Sequence, residues 1–236
     1  MAPWNMNQVS LQSYAQNGED ILAWEFLGKS DQGYYVEVGA NDPVFRSQTY
    51  FLEQRGWTGI LVEPLPNLCQ ALRAKRPRSI VCQAGAGSPS SPPKAILKQT
   101  RNDAWSHIKG HTDDSDVVAE IEVEMRTLES ILEEHHAPQI DLLSIDTEGM
   151  EIDVLDGLNL ETRRPRLILV EDHMDHLELY FYLRRRGYRL AKRTGANNWW
   201  VPKGSPKPHL SFRERLSLWN VLFFKKPRHR LRWLLG

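Results

Sequence analysis

Short apolar runs that end at a glycine or an acid alternate along this chain with stretches of helical spacing. Tyr34 to Val38 is a β-prone run closed by Gly39. Gly59 to Val62 is a second buried run ending at Glu63, and Ser79 to Gln83 is a third. Between them, Ser47 to Arg55, stopped by Gly56, and Pro66 to Lys75, with Pro66 in the first turn, read as helices. Ahead of them, Leu11 to Gly28 starts polar and turns helical through Ile21, Leu22, Trp24 and Phe26, and Gly28 ends it. The middle is different. Gly85 to Pro93 is rich in Gly, Ser and Pro and reads as a loop. Ala95 to Lys98 and Glu120 to Arg126 read as extended segments, the second with Ile121, Val123 and Met125 on one face; polar Gln99 to Ser115 joins them as a loop. Thr127 to His135 reads as a helix with Thr127 as its N-cap.

The alternation then resumes. Asp141 to Ile145 and Arg166 to Val170 are expected strands, Met150 to Leu158 and Met174 to Arg186 expected helices. Tyr188 to Lys192 and Trp199 to Val201 are expected to close the sheet as an antiparallel pair. Strand and helix at this spacing predict an α/β fold: a mostly parallel sheet with an antiparallel final strand, covered by helices on both faces to give three layers. Of Trp199 and Trp200, alternation places at least one in the core.

Bulk properties narrow the class. At 236 residues and 41% hydrophobic, the chain holds one α/β core with little left for a second. Lys+Arg and Asp+Glu are both 30, so no net charge draws the whole chain to nucleic acid. Cys69 and Cys82 have no zinc or redox spacing, which fits a reducing compartment. Met1 to Ser10 lacks a basic segment followed by an apolar run, and no stretch approaches a membrane span. These features predict a cytoplasmic protein. The expected organisation is a catalytic domain over residues 1–204 and a basic amphipathic tail over 205–236. In the tail, Lys225, Lys226, Arg228, Arg230 and Arg232 lie beside Phe223, Phe224 and Trp233. Such a tail suits peripheral contact with an anionic membrane, or a docked helix with a solvated end.

The candidate chemistry gathers where strands end. In an open parallel sheet, ligands bind beyond the carboxyl ends of the strands. Glu37-Val38-Gly39-Ala40-Asn41 follows the first strand, and Gly39 lets backbone approach a ligand closely. Glu63 ends the second, where an acid can accept from both ribose hydroxyls of a nucleoside. The turn lacks the Gly-x-Gly-x-x-Gly spacing of a pyrophosphate cradle, so the acids suit a nucleoside without phosphates. Asp146 follows Leu142-Leu143-Ser144-Ile145, with Glu148 and Glu151 just beyond, and Glu171-Asp172-His173 follows the next strand. Carboxylates converging on one rim need a cation, a proton or ligand donors to persist. Asp146 with Glu171 or Asp172 could hold Mg2+ or another divalent cation, and His173 could serve as a base near neutral pH. Asp172 also reads as the N-cap of the helix from Met174, and Glu148 as a dipole-favoured acid at a helix start.

Together these segments resemble the FkbM-type S-adenosylmethionine (SAM)-dependent methyltransferases. The matching pieces, in order, are Ser13-Tyr14-Ala15-Gln16-Asn17-Gly18-Glu19-Asp20, Val36-Glu37-Val38-Gly39-Ala40-Asn41-Asp42-Pro43, Arg55-Gly56-Trp57-Thr58-Gly59, Glu63-Pro64-Leu65-Pro66, Thr127-Leu128, and Asp141 through Glu151. The resemblance covers Ser13 to Val201 and implies a Rossmann-like class I methyltransferase sheet with SAM as donor. It implies that Glu37, Gly39 and Asn41 line the methionine side of SAM, that Glu63 binds the ribose, and that Gln16, Glu19 and Asp20 form part of a cover. It also implies a hydroxyl acceptor on a sugar or a sugar-bearing molecule. Asp146, which also faces the cofactor, is the expected proton acceptor, directly or through a metal, with Glu171 and His173 assisting. Trp105, Trp199 and Trp200 offer aromatic faces on which a sugar could pack. The rival readings are a nicotinamide oxidoreductase, a non-catalytic nucleoside-binding or scaffold protein, and a nucleic-acid methyltransferase.

Overall fold

The structure is a computed structural model that describes residues 11–101, 106–108, 115–172, 177–206, 208, 210–212 and 214–216. In chain order the elements are α1 (Glu19–Phe26), β1 (Tyr34–Val38), α2 (Tyr50–Gln54), β2 (Thr58–Val62), α3 (Pro66–Lys75), β3 (Ser79–Cys82), β4 (Gly85–Gly87), β5 (Lys94–Thr100) and β6 (Val117–Thr127). They continue with α4 (Leu128–Glu134), β7 (Leu142–Ile145), α5 (Glu151–Asp156), α6 (Leu160–Arg163), β8 (Leu167–Glu171), α7 (Leu177–Arg185), β9 (Tyr188–Thr194) and β10 (Asn197–Pro202). Seven strands form one sheet in the order β3-β2-β1-β7-β8-β10-β9. Every neighbouring pair is parallel except those made by β10, which runs against both β8 and β9. The order reverses between β1 and β7, which puts the switch point and its crevice at the centre of the sheet. This is the class I methyltransferase arrangement.

Strand alternation explains the three layers. Val36, Ile60, Leu143, Ile168 and Trp200 pack on one face, against α4, α5, α6 and α7. Tyr35, Leu61, Leu142, Leu169 and Trp199 pack on the other, against α1, α2 and α3. Both tryptophans are therefore core, one per face, and neither is a surface for a sugar.

The first helix is α1, beginning after Gly18 on the stretch of Ile21, Leu22, Trp24 and Phe26. Two local expectations change. The second helix is short: Ser47 and Thr49, whose hydroxyls donate to Glu37, precede the start of α2. Gly85–Gly87 is a strand, paired in parallel with β6, although its composition reads as a loop. With the antiparallel pair β5–β6 it makes a second, three-stranded sheet in the order β4-β6-β5. Leu97, Val123 and Met125 of that sheet join the core under α4 and α5. The capped helix is as expected, with Thr127 Oγ1 accepting from the Ser130 N–H at 3.2 Å. Trp105, His173 and the tail residues 217–236, including its basic and aromatic cluster, lie outside the described residues. Among the described residues no helix is long and apolar enough to cross a membrane.

Candidate functional site

A cavity of about 750 Å³ opens at the carboxyl ends of the central strands. Its wall changes character along the sheet. Beyond β3 it is apolar, with Leu65, Leu68, Ala84, Ala86, Leu97 and Ile108. Glu63 stands beyond β2, Gly39 beyond β1, Asp146 beyond β7, and Glu171 at the end of β8. Three strand spacings separate β3 from β7, roughly 14 Å. That length suits a nucleoside with a short tail laid across the strand ends.

Glu63 is fixed from behind. Its Oε2 accepts from the Asn41 N–H and its Oε1 from the Leu65 N–H, both at 2.9 Å. Its own N–H donates to the Cys82 carbonyl, and the Cys69 thiol donates to its carbonyl. Burial pushes that thiol up to about 12, so Cys69 is an uncharged packing group. Gly39 has φ +78, and a Cβ there would lie 1.8 Å from the Asp146 carbonyl oxygen. The crossing of the β1 and β7 ends thus admits no side chain. Asn41 is also left-handed, at φ 49, which turns the chain back so that its N–H reaches Glu63.

Glu37 is on the cavity wall, but most of its carboxylate is engaged beneath it. It shares its strand face with Tyr35, so its carboxylate turns under the cavity toward α2 and α3. There it accepts from the Gln48 N–H at 3.0 Å and from Thr49 Oγ1 at 2.5 Å, and lies 4.0 Å from the Arg76 guanidinium. Burial pushes its carboxyl above the usual range, and Arg76 with these donors works against that. Glu37 still borders the cavity, yet most of its acceptor capacity is engaged in the floor.

Gln16 lines the cavity; Glu19 and Asp20 do not. Both are fully buried and organise the turn ahead of α1. Asp20 accepts from Ser13 Oγ and from the N–H groups of Tyr14, Ala15 and Ile21. Glu19 accepts from the Asn17 N–H and side-chain amide and from Asn197 Nδ2. Glu19 and Asp20 therefore build a clasp that presents Gln16, and are not themselves a cover.

The acidic end is also rearranged. Carboxylate oxygens of Asp146, Glu148 and Glu171 lie within 4.8 Å of one another. Asp172 is not among them; one residue after Glu171, it turns away from that face, and its backbone bonds Ala196 and Asn198 of the β9–β10 hairpin. Glu148 takes the third place because its backbone is left-handed, at φ 51, and because Glu151 gathers Thr147 Oγ1 and the Gly149 N–H around it. Burial, the hydrogen bond and charge of Glu171, and then Glu148 and Glu151 raise the Asp146 carboxyl well above its ordinary value. Several wall residues were not foreseen. Gln48, Ser144 and Asn197 form a polar floor, His107 lies buried on the second sheet, and Phe45 and Arg46 stand at the mouth. Only Phe45, an exposed aromatic just past the β1 turn, carried a local signal.

Residues 37–190, well over half of the chain, match the methyltransferase FkbM domain. The chain belongs to the FkbM methyltransferase family. Among curated proteins, no relative matches it. Among solved structures, the precorrin-6y C5,15-methyltransferase of Geobacter metallireducens GS-15 is 12% identical, covering 80% of this chain and 89% of that one, with a TM-score of 0.43. A methyltransferase of Geobacter sulfurreducens is 11% identical, covering 81% of each, also with a TM-score of 0.43.

For an FkbM methyltransferase the methyl donor is SAM, and the wall fits it. The apolar stretch beyond β3 suits adenine, and the Glu63 carboxylate at the β2 end suits the ribose hydroxyls as their acceptor. Glu63, Asp146, Glu148 and Glu171 would repel a pyrophosphate but favour a sulfonium cation. The oxidoreductase reading therefore finds no support in this wall.

Proposed function

We propose that this FkbM methyltransferase transfers the methyl group of SAM to a hydroxyl oxygen of a sugar or sugar-bearing molecule. The observation that carries the reading is the Asp146–Glu148–Glu171 cluster on the same cavity as the cofactor wall. SAM supplies an electrophilic methyl on a positively charged sulfur. A hydroxyl is a poor nucleophile, so the protein's task is to orient it and accept its proton. Asp146, at the β7 end, is assigned as the proton acceptor. The Asp146–Glu171 hydrogen bond holds one proton between the two carboxyls; with that proton on Glu171, Asp146 is ionised, oriented by Glu171 and open to the hydroxyl proton, and His173, two residues on, is assigned an assisting role. The same three carboxylates are hard oxygen donors that would hold Mg2+ or a similar cation, which would lower the pKa of an acceptor hydroxyl. Phe45 supports a sugar acceptor: its ring is 69% exposed at the cavity mouth, with the Arg46 guanidinium 5.2 Å from its centre. A sugar's C–H face can pack on such a ring while its hydroxyls point inward.

The test is Asp146→Asn, with S-adenosylhomocysteine (SAH) affinity measured by calorimetry and methyl transfer from labelled SAM measured against a panel of sugars and glycosides. SAH affinity should stay within about threefold, and turnover should fall by roughly 10²–10⁴-fold. Full turnover by the variant would remove Asp146 from the chemistry, and transfer confined to amine acceptors would overturn the hydroxyl assignment. Activity unchanged by EDTA would remove the cation.

A further inference from the structure

We propose that the amino-acid end of the cofactor is held by side-chain amides of Gln16, Gln48 and Asn197, set in place by the buried Glu19. This rests on SAM as the ligand of the cavity and names a subsite within it. An α-amino acid brings a carboxylate to a wall already rich in carboxylates, and amides donate to it without adding charge. Gln16, Gln48, Ser144 and Asn197 all line the cavity next to Gly39 and Asp146. Gln48 and Asn197 are each 7% exposed, so their orientation is decided by hydrogen bonds rather than by water.

Those bonds run in one direction. Glu19 Oε1 can only accept, so it fixes Asn197 Nδ2 toward itself at 3.1 Å. Asn197 Oδ1 then accepts from Gln48 Nε2 at 3.1 Å, and Gln48 Oε1 accepts from Ser144 Oγ at 3.0 Å. The chain uses one of the two N–H groups on each amide. The second on each remains to donate to a ligand, a pair of donors that matches the two oxygens of a carboxylate. Gln48 is held further by its own N–H on Glu37.

The clasp is tied to the same place. Asn17 donates to Glu19 through its backbone and its side chain, and a Cβ on Gly195 would lie 2.5 Å from the Asn17 amide. Gly195, at φ 54, thus lets the β9–β10 hairpin close onto the segment that carries Gln16. Gln16, Glu19 and Asn197 all lie outside residues 37–190, so this subsite is completed by segments on either side of the matched family domain. Glu19 touches no ligand in this account; it is a positioning residue.

The experiment compares two ligands by calorimetry on the full chain: SAH, and 5′-methylthioadenosine, which keeps the nucleoside thioether and lacks the amino-acid end. The wild type should bind SAH at least about tenfold more tightly. Gln48→Ala should weaken SAH by about tenfold and leave methylthioadenosine within about twofold. Glu19→Gln, which lets the amide chain reverse, should weaken SAH by about threefold or more, again leaving methylthioadenosine unchanged. If Gln48→Ala fails to fold, the Glu19→Gln split decides. Equal weakening of both ligands, or of neither, overturns the subsite while leaving SAM as the cofactor. A folded wild type that binds neither ligand overturns the cofactor reading, and the subsite with it.

Discussion

Two groups of carboxylates, one buried and one half-buried, belong to this one sheet, and they are built in opposite ways. Under β1, Glu37 and Glu53 surround Arg76, a guanidinium 1% exposed. Arg76 donates to Glu53, to the Tyr35 and Thr49 hydroxyls, to Ser47 Oγ and to the Pro43 carbonyl. Burial alone would push the Glu53 carboxyl up; hydrogen bonds from Ser79 and Arg76 outweigh it and hold the group below its ordinary range. Beyond β7, the charges that act on Asp146 are those of Glu171, Glu148 and Glu151, all of one sign. The first group is completed by the chain itself and works as scaffold. The second gathers like charges on the cavity wall, and a proton, a cation or a ligand would relieve that repulsion.

The comparison can be broken in three places. The largest expected effect is at Arg76. Arg76→Met leaves Glu37 and Glu53 buried without their cation, and urea unfolding should show a loss of about 3–5 kcal/mol. A loss below about 1 kcal/mol would mean that the group is not scaffold. Asp146→Asn should act in the opposite direction and raise the melting temperature by a few degrees in EDTA, because it removes a like charge. The sign follows from the raised carboxyl: ionising it costs stability once the pH passes its ordinary value, so the gap between variant and wild type should widen as the pH rises from about 4 toward neutrality. A lower melting temperature would make Asp146 a structural acid. The smallest effect sets the scale for a surface pair. Glu214 lies 2.9 Å from Lys192, and hydrogen bonds from Lys192 and Ser211 hold its carboxyl at about 2. Glu214 is partly exposed, so Glu214→Gln should cost under about 1 kcal/mol at neutral pH. That contribution is present above the ordinary carboxylate pKa and fades as the pH falls toward about 2.

What could be read along the chain, and what could not, follows the same division. Glu63 and Asp146 were legible because each ends an apolar run, and a parallel sheet carries such positions to one rim. Glu37 was legible as a strand-end acid, but its direction was not. Its side chain follows the face of Tyr35, and the cation it meets is Arg76, beyond the next helix. The exchange of Asp172 for Glu148 turns on single residues, the parity of one strand and one left-handed backbone. Gly85–Gly87 has no hydrophobic pattern to announce a strand, and pairing with β6 made it one. The polar floor had no local signal either: Gln48 meets Asn197 across 149 residues, and Asn197 meets Glu19 across 178.

The sequence by itself determined the alternation of strands and helices, the acids at the strand ends and the single glycine at the β1 turn, because burial and backbone sterics act on neighbours along the chain. The tertiary structure alone decided which acids gain a buried cation and which gather with other acids on the cavity wall, and it alone joined the N-terminal clasp to the last strand. Charge pairing and amide hydrogen bonds act through distance in space, and that distance exists only once the sheet has closed its order.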